Sequence, residues 1–178
     1  EIKNINQNSI AYFNAKELKS DDDFYVIMKD LSGNKDFYSI ISNLEMININ
    51  LKNNNLKLAE EQYINLIENN KLNSSYISAI AVHGSYNYID IIYETSNFNY
   101  IKLVQKFINY IDDNLDSYKG IKMELNYLLN ITIQDINNIS LKDDLKTLEL
   151  YKSIMESEII SSSIKERVNK IHEFQLYK

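Results

Sequence analysis

A chain of 178 residues, 44% hydrophobic and 25% charged, has the size and balance of one globular domain. The absence of cysteine excludes disulfides, thiolate metal sites and cysteine nucleophiles. A formal net charge of −6 argues against nucleic acid or an anionic membrane surface as the main partner, and the lone Arg167 cannot build the usual arginine clamp on phosphate.

Proline is absent and glycine occurs three times, which disfavours a many-turned β sandwich and favours helices. Apolar spacing predicts nine of them, over about 4–18, 22–31, 36–52, 56–69, 75–94, 98–111, 118–134, 142–157 and 162–176. In the second, Asp21, Asp22 and Asp23 suit a helix start as caps and by complementing its dipole, and Gly33 suits a left-handed stop. In the third, Asp36 caps a stripe of Phe37, Ile40, Ile41, Leu44, Ile47 and Leu51. The turn Asn53-Asn54-Asn55 then lets the chain reverse, because asparagine tolerates left-handed backbone.

The fourth helix places Ala59 four residues before Tyr63 and seven before Leu66, a small residue where another helix is expected to lie close. The fifth, with Ile77, Ala81, Tyr88 and Ile91 on one stripe and Tyr76, Ile80 and Ile92 on another, is apolar on two sides and reads as central. Ile101, Val104, Phe107, Ile108 and Ile111 line the sixth helix; Ile121, Leu125, Leu128, Leu129 and Thr132 line the seventh; Leu145, Leu148, Tyr151 and Met155 line the eighth. No Gly/Ser-rich linker intervenes, so residues 1–178 are expected to form a single domain.

Reaction chemistry is hard to find. His83-Gly84-Ser85 lacks the flanking glycines of a nucleophile elbow and falls within a helix, where Gly84 is better read as a close helix contact. Asp112, Asn114 and Asp116 match the first three positions of a calcium loop, but Ser117 replaces its turn glycine and Met123 its closing carboxylate. His83 and His172 lie far apart in sequence, and paired acids such as Glu60-Glu61 and Asp143-Asp144 point to different sides of their helices. The expectation is a protein without enzyme activity, cofactor or metal. Tyr86, Asn87 and Tyr93 are the candidate contacts for a protein partner, tyrosine offering area and a polar tip.

With Asn54 and Leu56 ahead of it, the Ala59, Tyr63, Leu66 spacing resembles the second helix of a tetratricopeptide repeat, and Thr147, Tyr151 and Ile154 repeat it. Over most of the chain, the helices carrying Ala11, Tyr12 and Ala15, Phe24 to Leu31, Tyr38 to Leu51, the Ala59 hairpin, Tyr76 and Ala79 through Tyr88, and Ile164 to Leu176 resemble the tetratricopeptide-like domain of the ancillary subunit of the bacterial Sec translocon. Related rickettsial membrane-anchored proteins of unknown function share the pattern. The resemblance implies an all-α fold of antiparallel hairpins stacked as a short solenoid with a C-terminal capping helix. It also implies a protein-binding scaffold on the periplasmic side of the inner membrane, anchored by a helix upstream of Glu1, whose partners are the translocon or a periplasmic chaperone. A cytosolic adaptor of the same architecture is one alternative. A helical metal-binding or enzymatic domain using Asp112, Asn114, Asp116 or His83 is another.

Overall fold

The computed structural model describes residues 2–18, 20–34, 36–69 and 71–178. Among them the chain is all-α, with helices α1 (Ile2–Lys16), α2 (Asp21–Ser32), α3 (Phe37–Lys52), α4 (Leu56–Asn69), α5 (Ser74–Thr95), α6 (Ile101–Tyr110), α7 (Asp116–Asn137), α8 (Leu145–Glu156) and α9 (Ser162–Leu176). Single 3-10 turns at Phe98–Tyr100 and Leu141–Asp143 precede α6 and α8. Helix contacts divide the chain into two compact units, Glu1–Lys71 and Leu72–Lys178.

Local chemistry sets the helix ends. Ser20 caps α2 by accepting from the Asp23 amide, which leaves Asp21, Asp22 and Asp23 in the first turn to complement the helix dipole. Asp36 caps α3 through the Ser39 amide at 3.1 Å. Gly33 does not take the left-handed conformation expected of it: its φ is −74°. The α2 end closes instead by a tightened turn in which the Asn34 amide donates to the Leu31 carbonyl, so no left-handed residue is needed. Asn54, with φ 57°, is the left-handed residue that turns α3 into α4.

In the first unit α1 packs on α2 and α3, α2 on α3, and α3 on α4. Each helix thus meets its successor, and the first helices of the two hairpins, α1 and α3, lie side by side. Tyr12, Ala15, Met28, Leu31 and Met46 form one core cluster. On α4, Ala59 and Tyr63 are fully buried and Leu66 nearly so, while the Asn50 amide on α3 donates to Gln62 on α4 at 2.9 Å. A fully enclosed alanine is what a close neighbour demands, since a longer side chain would overfill that space.

Among the described residues, one buried side-chain polar atom has no partner. The hydroxyl of Ser42, on α3, is buried and makes no hydrogen bond. An enclosed hydroxyl loses its hydration without compensation. Ser42→Ala is therefore expected to raise stability by about 1 kcal/mol, seen as a higher urea midpoint at unchanged slope.

The second unit repeats the arrangement: α5 packs on α6 and α7, α6 on α7, α7 on α8 and α9, and α8 on α9. The first helices of successive hairpins, α5 and α7, are again adjacent, and α9 continues that row beside α7. Gly84 on α5 lets the Phe107 ring of α6 approach so closely that a Cβ would stand 2.9 Å from it. Tyr127, Ile131, Leu141, Ile154, Ile160, Ile164 and Val168 close the core around α7, α8 and α9. Thr147 and Ile154 on α8 are fully enclosed, as are Ala59 and Tyr63 at the matching positions of α4 for Thr147 and Tyr151, although Tyr151 itself is half-buried.

Candidate protein-binding face

The helix α5 is 22 residues long and buries Ala81, Gly84, Ser85, Tyr88 and Ile92 on one side. Steps of three, four and seven residues return to the same side of a helix, so Ala79, His83, Tyr86, Asp90, Tyr93 and Glu94 share the other. Ala79, Asp90, Tyr93 and Glu94 are exposed, Tyr93 to 55%, whereas His83 and Tyr86 are half-buried. Of the three predicted contact residues, Tyr86 and Tyr93 therefore lie on this face. Asn87 lies at its margin, where its amide donates to the His83 carbonyl one turn earlier at 2.9 Å.

Tyr86 is more than a surface ring. Its hydroxyl donates to Glu124 Oε2 on α7 at 3.0 Å, and Arg167 on α9 grips the same carboxylate with Nε on Oε1 at 2.8 Å and Nη2 on Oε2 at 2.7 Å. Glu124 is 2% exposed, while the Arg167 side chain is 52% exposed. Burial first, then the charge of Glu124, push the Tyr86 hydroxyl far above its ordinary pKa, so it stays a donor. The hydrogen bonds to Glu124 likewise hold the guanidinium firmly charged. One buried carboxylate thus ties the three side-by-side helices together and fixes the face they present.

Sequence reasoning missed Glu124 and gave Arg167 no role. Two signals were present: Glu124 sits within the apolar stripe Ile121, Leu125, Leu128, where a carboxylate needs a cation, and the chain has one arginine able to supply a fork.

A second polar cluster lies among α7, α8 and α9. His172 is buried, its Nδ1 3.0 Å from the Tyr127 hydroxyl, and its ring stacks on Tyr151 at 3.6 Å and 8°. Tyr151 donates to Asn169 Oδ1 at 2.6 Å. Burial lowers the His172 pKa below its ordinary 6.5, against a smaller opposing pull from Glu173. The unfolded chain takes up this proton near 6.5 and the folded chain only at lower pH. Stability accordingly falls as pH drops through 6.5 and levels off below the folded-state value. Replacing the imidazole in His172→Gln is expected to flatten that stretch of a stability profile measured by urea melts, whatever its effect on stability at pH 8.

The other sequence candidates find structural places. Ser85 is buried in mid-helix and donates to the Ala81 carbonyl at 2.8 Å, so it is neither on an elbow nor aimed at a base. Asp112 accepts from the Asn114 amide and side chain in the turn before α7, while Asp116 begins that helix. Among the described residues no three His, Asp or Glu side chains gather to hold a metal ion, and no helix is long and apolar enough to cross a membrane. A groove of about 330 Å³ between the ends of α7 and α9 is lined by Gln134, Asp135, Ile139, Gln175, Leu176 and Lys178 among others. Its carboxylate is already engaged, for Asp135 accepts from Gln175 at 2.8 Å and pairs with Lys178 at 3.0 Å. No known protein family, curated protein or solved structure matches the chain.

Proposed function

We propose that the protein is a non-catalytic protein–protein interaction scaffold, the soluble part of a membrane-anchored protein that assists protein translocation or periplasmic chaperone assembly. The observation that supports binding is the row formed by α5, α7 and α9, whose shared face is held rigid by the Tyr86–Glu124–Arg167 network and carries the exposed Tyr93. A face fixed before the partner arrives loses little conformational freedom on binding. Tyrosine contributes contact area with few torsions to freeze. Partner identity and location rest on the resemblance to the translocon subunit.

In-cell crosslinking of the full-length protein, followed by identification of what is captured, tests this reading. Recovery of translocon or chaperone components supports it. Capture of cytosolic proteins alone refutes the membrane role, and an uncrosslinked full-length chain under conditions that trap known complexes refutes the scaffold role.

A further inference from the structure

We propose that His172 is an acid-operated release for the second half of α9: when the imidazole takes up a proton, residues 169–176 lift away from α7 and α8 while the first half of the helix stays in place. A histidine that can do this must be enclosed, must serve a neighbour in its neutral form, and must lack an anion to balance its charged form. His172 meets all three conditions.

It is buried where α9 meets α7 and α8, with its ring stacked on Tyr151 of α8 at 3.6 Å. The Tyr127 hydroxyl, on a fully enclosed ring of α7, has His172 Nδ1 at 3.0 Å as its one partner among the described residues. Burial holds that hydroxyl in its protonated form, so its hydrogen points to Nδ1 and the ring proton sits on Nε2. A proton added at Nδ1 takes this acceptor away. The hydroxyl must turn to accept, its own hydrogen is left unpaired, and a positive charge enters the seam between the helices.

Little around the ring balances that charge. The groups facing it from α7 and α8 are the phenols of Tyr127 and Tyr151. The carboxylates of α7 are engaged elsewhere, Glu124 by Arg167 and Asp135 by Gln175 and Lys178. The 3-10 turn Leu141–Asp143 also packs on α9, and its described side chains are the apolar Leu141 and Lys142, whose charge has the same sign. On α9 itself Glu173 is exposed and accepts from Asn169 at 2.8 Å, and its pull on the imidazole is smaller than the effect of burial.

The same contacts limit how far the helix opens. Ile164 lies so close to Gly120 that a Cβ there would stand 3.0 Å from its Cδ1, and Arg167 grips Glu124 with two hydrogen bonds. These anchors hold the first half and contain no histidine. Beyond Val168, His172 is the one buried side chain of α9, joined by the partly buried Ile171 and by polar ties from Tyr151 to Asn169 and from Gln175 to Asp135. Proton uptake therefore removes the main anchor of the second half alone. The released imidazole titrates near its ordinary 6.5 and the docked one lower, so opening is favoured as pH falls below 6.5 and levels off beneath the docked value.

Hydrogen exchange of the whole chain, followed by mass spectrometry and corrected for the intrinsic pH dependence of amide exchange, tests the proposal. From about pH 7.5 to about pH 5.5, opening of residues 169–176 is expected to rise by at least about threefold and at most about tenfold, while residues 162–168 and α5 keep their protection. His172→Phe and His172→Gln are expected to lose this rise, whatever their protection at the higher pH. His83→Gln, which removes the only other histidine, is expected to keep it. Opening of residues 169–176 that does not rise with acid, a rise shared equally by α5 and α7, or a rise that survives in both His172 variants overturns the proposal.

Discussion

Arg167→Ala is expected to lower stability by about 3 kcal/mol, the low end of the range for breaking a buried ion pair. The large term is not the lost attraction but the stranded partner. Glu124 is 2% exposed and, without the guanidinium, would retain among the described residues only the Tyr86 hydroxyl as a donor. The loss stays at the low end because the Arg167 side chain is half exposed, where solvent already screens its charge. Replacing both partners by apolar residues in Glu124→Leu/Arg167→Met removes the stranded charge and is expected to recover most of the loss, as substitution of buried ion pairs by packed side chains commonly does. Urea denaturation of the two single variants and the double variant gives the three values. A double variant as unstable as Arg167→Ala would show that the carboxylate was not the source of the loss.

Phe107→Ala is expected to cost about 3–5 kcal/mol, because the ring is fully buried and its removal leaves a cavity against α5. The same contact predicts the response of Gly84. An added methyl would stand 2.9 Å from the ring, and Phe107, enclosed and 6.0 Å from the Tyr88 ring centre, has little room to withdraw. Overfilling at such a place costs about 1–3 kcal/mol, from which about 1 kcal/mol is offset by the better helix propensity of alanine. In the Phe107→Ala chain the sign reverses: the methyl enters the cavity, and both packing and propensity favour it. A double-mutant cycle by chemical denaturation reads this coupling directly. Additive effects would mean that α5 and α6 separate easily and that Gly84 is not what brings them together.

The helices were legible in the residues because their information is local. Apolar spacing, the scarcity of glycine and the lack of proline place the nine α-helices of the described residues close to their observed limits, and Asn54 turns the chain where its left-handed tolerance is needed. Ala59 could be read as a close-packing position since a small residue amid large ones on an amphipathic helix signals a near neighbour. The α2 ends were less legible: Ser20 rather than the acids supplies the cap, and a 3-10-like closure makes a left-handed Gly33 unnecessary.

What fixes the candidate face was legible only in part: a carboxylate within an apolar stripe and a lone arginine signal that a pair is needed, but not that they meet each other and Tyr86. Tyr86 and Glu124 are 38 residues apart and Glu124 and Arg167 are 43 apart. The three residues lie on separate helices, α5, α7 and α9, so no local pattern pairs them. The same holds for the stack of Tyr151 on His172, where a histidine with no cluster in the sequence finds its neighbours only once α8 and α9 fold together. Polar networks of this kind depend on tertiary placement, whereas apolar stripes announce themselves in the chain.

Within each unit, the helices that pack most closely are neighbours or next neighbours along the chain. Contacts of that kind close short loops, so the entropy lost before they form is small and the search for them is brief. With no proline to isomerise, nothing in the covalent chain introduces the ~10–100 s delays that such bonds impose. Diluted out of denaturant, each unit should regain its helices within milliseconds, its speed set by how quickly adjacent coils collide.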